Sequence, residues 1–280
     1  MDAFRDVALN LTLKPDSTHY GSLFEVSDLT ARAGWAEADE TTRGRIVTAA
    51  SSYLAGYDPG IERWLDTSEF RVDLALGYQA LRLLDRAKAD HLSKVPLAVW
   101  QKCGPTMLAY PLNPGDEDKR LFIRVYRVTP DPILNALVRL LERDTQGRGL
   151  YLSRVEPLWD SRLEDCFLSI LKNPDHGPWK FGQLLEALIG HGSAEAILLA
   201  RSWIRADLTE SDARDRAVCS AAALVSSGGL GAWETAWPVV LSDKAFGVGL
   251  FTRIASGMEP RNSAFIESLS DVLDGAAGET

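Results

Sequence analysis

Apolar residues recur along the chain with two periods. A short alternating run, Ala8-Leu9-Asn10-Leu11-Thr12-Leu13, has period two and predicts a strand or an unpaired arm within residues 1–22. From Leu23 the period lengthens. Ile46, Val47, Ala50, Tyr53 and Leu54 follow the i, i+3, i+4, i+7 spacing of one helix face, and Asp39-Glu40-Thr41-Thr42 ahead of them supplies capping and acidic residues suited to a helix N-terminus. The same spacing predicts helices over about 69–90, 96–109, 117–128, 131–143, 161–172, 178–190, 193–206, 212–226, 231–242, 244–256 and 261–274. Most are apolar on one face and charged on the other. Leu163, Phe167, Ile170 and Leu171 line the helix at 161, and Phe181, Leu184, Leu185, Leu188 and Ile189 line the next.

The connectors carry the stop signals of helical hairpins: Asn173-Pro174-Asp175-His176-Gly177-Pro178, Gly190-His191-Gly192-Ser193 and Ser226-Ser227-Gly228-Gly229. No strand pattern recurs between them, so the expected class is all-α. Helix starts near 161, 193 and 231 set a hairpin period of roughly 30 to 40 residues, which predicts a HEAT-like α-solenoid over 23–274. Residues 275–280, Gly-Ala-Ala-Gly-Glu-Thr, read as a frayed, disordered tail. A second repeat lies inside the helices. Trp100, Pro105 and Leu108 have the spacing of Trp233, Pro238 and Leu241, and both sets fall where the first helix of a hairpin is expected. An internal proline removes one backbone hydrogen bond and kinks a helix, while the tryptophan before it fills space between stacked repeats.

Composition narrows the partners. With 46% hydrophobic and 25% charged residues the chain has the makings of a substantial core. Its apolar runs, of which Ala217–Val225 is typical, fall short of the ~20 residues of a membrane helix, and Met1-Asp2-Ala3-Phe4-Arg5-Asp6 opens no signal peptide. The expectation is a cytoplasmic protein with no membrane partner. A net charge of -9 repels a phosphate backbone over most of the surface, so nucleic acid is disfavoured. Cys103, Cys166 and Cys219 are odd in number, widely spaced and outside any C-x-x-C pair, which argues against a disulfide framework and a zinc site.

Reactive constellations are missing at the level of sequence. His19, His91, His176 and His191 stand in no metal-binding spacing, and no G-x-S-x-G elbow is present. Carboxylate pairs such as Glu164-Asp165 and Asp212/Asp215 fit helix N-termini, where acidic residues complement the dipole. The expectation is a protein without catalytic residues, metal or cofactor. Candidate partner-binding residues are Arg120, Arg124 and Arg127, one stripe on the helix at 117, with Arg139, Arg143 and Arg148 following. Trp233, four residues before Trp237, is the aromatic candidate, to be weighed against an ordinary core tryptophan.

Gly34-Trp35, then Arg43–Leu54 (RGRIVTAASSYL), Ala75–Leu84 (ALGYQALRLL) and the Trp100/Pro105 helix resemble the helical region that follows the ATPase module in bacterial NACHT-type signal-transduction ATPases, over roughly residues 23–112. The resemblance implies a sensor or partner-binding scaffold with a protein partner, and an ATPase module in the same or a neighbouring chain. It does not imply nucleotide binding here: no G-x-x-x-x-G-K-[ST] stretch is present, and Gly147-Arg148-Gly149 is neither preceded by an apolar strand nor followed by Lys-Ser or Lys-Thr. The alternatives are a helical-array enzyme or DNA-binding protein using the Arg120/Arg124/Arg127 face, and a subunit that completes an oligomer.

Overall fold

The structure, a computed structural model, describes residues 28–60, 72–87, 92, 94–110, 115–143, 152–173, 178–227 and 230–257. Every regular element among the described residues is an α-helix or a short 3-10 segment, so the fold is all-α. The arm at 1–22, the helix expected at 261–274 and the tail at 275–280 lie outside the described residues. No helix among the described residues is long and apolar enough to cross a membrane.

The chain divides into two compact units, with described residues 28–143 and 152–159 in the first and 160–257 in the second. The first contains α1 (Ala33–Glu37), α2 (Glu40–Gly56), α3 (Val72–Ala87), α4 (Leu97–Cys103), α5 (Asp116–Val128), α6 (Pro130–Arg143) and α7 (Leu152–Val155), with 3-10 turns at Leu29–Ala31, Gly104–Leu108 and Glu156–Leu158. Helix α2 starts where the acidic cluster predicts: the Asp39 carboxylate accepts the Thr42 N–H at 2.7 Å. At the centre lies α3, buried at every position from Leu74 to Leu84, with α2, α5 and two of the 3-10 turns packed on it. The run Leu74–Leu84 is apolar except for Gln79 and Arg82, and a stretch with apolar residues on every side belongs inside.

The Trp100/Pro105 segment is not one kinked helix. Helix α4 ends at Cys103 and the chain continues as the 3-10 turn Gly104–Leu108, all five residues of it buried. Proline supplies no N–H to carry the α-helical ladder onward. Burial sets the rest, since a Cβ on Gly104 would lie 2.8 Å from Thr129 Cγ2 and 3.4 Å from Ile133 Cγ1.

The second unit holds α8 (Ser161–Leu171), α9 (Pro178–Gly190), α10 (Ala194–Ile204), α11 (Ser211–Ser226), α12 (Leu230–Ser242) and α13 (Lys244–Gly257). The α9–α10 corner is local chemistry throughout. Ser193 donates its N–H to Leu188 O and Gly192 its N–H to Ile189 O, both at 2.9 Å, with Gly192 at φ 81°. This is a Schellman stop, and it needs the positive φ that glycine adopts without strain. The Ser193 hydroxyl then accepts the Ala196 N–H and opens α10.

Helix α11 is the enclosed element of this unit: Ala217 through Val225 are all buried, and α9, α10, α12 and α13 pack on it. Its alanines, with Cys219 and Ser220, keep it thin enough for close neighbours. Glycine serves the same end on α9, where Gly182 leaves room for the Arg253 guanidinium of α13; a Cβ there would overlap Arg253 Nη2.

Pro238, unlike Pro105, is accommodated within an unbroken α12. Pro238 and Glu234, four residues before it, are both exposed, so the carbonyl deprived of its donor lies on the water side of the helix.

Candidate interaction surface

Helix α5 carries the arginine stripe, and its own sequence orients it. Asp116, Glu117 and Asp118 occupy the first turn, and the Asp118 carboxylate accepts the Gly115 N–H at 2.8 Å. Three acidic residues at the start and Arg127 in the last turn suit the helix dipole. Leu121, Phe122, Val125 and Tyr126 form the buried face. The opposite face presents Arg120, Arg124 and Arg127, all exposed, with Ile123 half-buried among them and Val128 45% exposed beyond.

The three arginines are not equivalent. Arg124 is ion-paired to Asp85 of α3, which ties it to its own unit. Arg120 and Arg127 make no hydrogen bond or ion pair among the described residues, although they face water. Lys119 lies 3.8 Å from Asp116 along the same helix. The face thus offers two free cations, a third partly neutralised, and an apolar centre. Exposed pairs of this kind contribute little to folding, so the free arginines are available at small cost to stability.

Beneath α5 lies a polar cluster. Asp118, 5% exposed, and Arg82, 8% exposed, are ion-paired, and Tyr78 donates its hydroxyl hydrogen to the same carboxylate oxygen. Arg82 Nη1 also reaches the Tyr78 oxygen at 3.1 Å, and its Nη2 lies 3.2 Å from Glu117 and 3.9 Å from Asp28. Arg86 adds pairs with Glu117 and Asp28. Burial pushes the Asp118 carboxyl above, and the Arg82 guanidinium below, their ordinary values, the mark of a pair taken out of water. The cluster ties α5 to α3 and to the chain at Asp28. Sequence reasoning missed it, although there was a signal: within the apolar run of α3 the only charged residue is Arg82, one helical turn after Tyr78.

Trp233 sits elsewhere and inside. It is 1% exposed, packed edge-to-face on Trp237 at 6.1 Å and stacked on Phe251 at 6.2 Å, so its indole is core and presents no surface to a partner. The remaining sequence candidates also fall into structural places. Glu164 and Asp212 lie in the first turns of α8 and α11, and His191 lies in the exposed α9–α10 corner. Among the described residues no group of three or more His, Cys, Asp or Glu side chains is placed to hold a metal ion. The thiols of Cys103 and Cys166 are pushed up by burial to about 12 and about 11, far from nucleophilic at neutral pH.

No protein-family model matches the sequence, and neither a curated protein nor a solved structure matches it significantly.

Proposed function

We propose that the chain is a non-catalytic protein-binding scaffold, a HEAT-like array of helical hairpins serving as the sensor or partner-binding region of a bacterial regulatory ATPase. The observation that carries the binding role is the α5 face. Arg120 and Arg127 are exposed and unpaired beside Ile123 and Val128, a cationic and partly apolar surface on a chain of net charge -9. Such a surface suits an acidic protein partner, because opposite potentials steer encounter and the apolar centre supplies burial. The order of contacts in the second unit supports the array. Each of α9–α12 touches the helix that follows it, while α9 touches α11, α11 touches α13 and α10 touches α12, as in two rows of alternating helices. The tie to an ATPase rests on the sequence resemblance over residues 23–112.

The test is a photo-crosslinking amino acid at Ile123 in the native cytoplasm, with mass spectrometry of the adduct. A single dominant protein adduct, lost in the Arg120→Glu/Arg127→Glu variant, is the expected result. No adduct, or one indifferent to the double charge reversal, refutes the binding role. Addition of the chain to the captured partner then tests the ATPase tie through ATP turnover. Salt-sensitive retention of DNA in a filter assay, lost in the same variant, would assign the face to nucleic acid instead.

A further inference from the structure

The last two described helices of the second unit present an apolar face to water. On α12, Leu241 is 73% exposed, one turn after the half-buried Trp237; on α13, Val248 is 59% and Phe251 42% exposed, one turn apart. The two pairs share one side of the hairpin. Trp237 and Phe251 both lie against the Trp233 ring, and a Cβ on Gly247, beside Val248, would lie 3.3 Å from Val240 Cγ1, beside Leu241. An outer helix ordinarily carries charge on its water side. On α13 the exposed residues Lys244, Ala245, Val248, Phe251, Thr252 and Ala255 include one charge, that of Lys244. A contiguous apolar face of this kind marks an interaction surface.

The chain itself supplies an occupant. Helix α13 ends at Gly257, and residues 261–274, outside the described residues, have the sequence of a helix with Phe265, Ile266, Leu269, Val272 and Leu273 along one face. Glu267, Asp271 and Asp274 fall on the opposite face. The connector Met258-Glu259-Pro260 is short, and short connections join helices that lie antiparallel and side by side. We propose that residues 261–274 return antiparallel to α13 and dock their apolar face on Trp237, Leu241, Val248 and Phe251. The segment then turns its carboxylates to water and supplies the charged outer layer that α13 lacks. The contact order of the unit runs the same way: α10 touches α12 and α11 touches α13, so the next helix in the series falls against α12 and α13. A second copy of the chain competes poorly for the face, because a short tether holds the segment at an effective concentration on the order of millimolar. The inference extends the array reading of this unit and owes nothing to α5, so the crosslink at Ile123 and the test below fail separately.

The experiment is hydrogen exchange of the purified full chain, read by mass spectrometry over residues 263–273. A helix of this length standing alone in water is marginal, so protection there requires docking. The expected result is exchange slowed about tenfold or more relative to the unfolded peptide, with that protection lost in Leu241→Asp/Val248→Asp. Both substitutions fall at exposed positions, and the α11 amides should keep their protection in the double variant. Leu269→Asp, which alters only the segment, should abolish the protection equally. A photo-crosslinking amino acid at Ala245, on the same side of α13 and far from the connector, should give an adduct within 269–274 of the same chain. Absence of protection over 263–273 overturns the docking, as does protection that survives Leu241→Asp/Val248→Asp. An adduct of twice the chain mass from Ala245 overturns it too, because a second copy would then hold the face.

Discussion

Replacing Asp118 by alanine removes the carboxylate on which the polar cluster under α5 converges. In the native chain that carboxylate takes the Tyr78 hydroxyl, Arg82 Nη1 and the Gly115 N–H. After substitution Arg82, 8% exposed, keeps two anionic partners, Glu117 at 3.2 Å and Asp28 at 3.9 Å, beside the neutral Tyr78 oxygen at 3.1 Å, and Glu117 is half in water. Removing one partner of a buried pair costs about 3–5 kcal/mol, chiefly through the charge left behind. The surviving contact to Glu117 places this case near the lower end, about 3 kcal/mol, a large part of the roughly 5–15 kcal/mol that holds a domain together. The charge left behind is the source of the loss, so removing it as well should restore most of it. Arg82→Met combined with Asp118→Ala is expected within about 1 kcal/mol of the native chain, a recovery of about 2 kcal/mol relative to Asp118→Ala alone. Urea denaturation followed by circular dichroism at 222 nm measures the native chain, the two single variants and the double variant. An Asp118→Ala loss under about 1 kcal/mol, or a double variant as damaged as the sum of its singles, would refute the reasoning.

Trp233→Ala should cost about 3–5 kcal/mol, because a large side chain is removed from a closed site; a melting temperature close to that of the native chain would place Trp233 outside the core. Asp243, held below the ordinary aspartate range by the Phe246 N–H and further by Arg214, caps α13 in its charged form. Its depressed value means that the stabilisation is complete above about pH 4 and is lost as pH falls through the folded-state value. The melting-temperature gap between the native chain and Asp243→Ala should therefore narrow below about pH 4, and a gap constant from pH 6 to pH 3 would contradict the cap. Cys166, raised to about 11, has at pH 8 only about one thiol in a thousand as thiolate, so iodoacetamide should alkylate it far more slowly in the native chain than in denaturant. Equal rates in the two states would contradict its burial.

The sequence by itself determined the class and most helix limits. The spacing predicts helices at about 178–190, 161–172 and 244–256, and the structure has them at Pro178–Gly190, Ser161–Leu171 and Lys244–Gly257. These limits were legible because their causes are local. The Gly192 stop, the Ser193 and Asp39 caps and the apolar period each involve residues within about five positions of one another. The exposure of Arg120 and Arg127 was legible for the same reason, since they lie opposite a regular apolar stripe.

Tertiary structure decided what local spacing does not contain. Two Trp/Pro segments of identical spacing diverge: Pro105 falls in a buried 3-10 turn against Thr129 and Ile133, while Pro238 stays within α12 on its water side. Trp233 became core because Phe251 of α13 stacks on it. Arg124 lost its freedom to Asp85, and Asp118 changed from an ordinary first-turn acid into the anchor for Arg82, through contacts spanning some 36 to 39 positions of the chain. A capping hydrogen bond depends on one turn of backbone and is written there. Burial and charge pairing depend on which helix arrives alongside, and packing alone settles that.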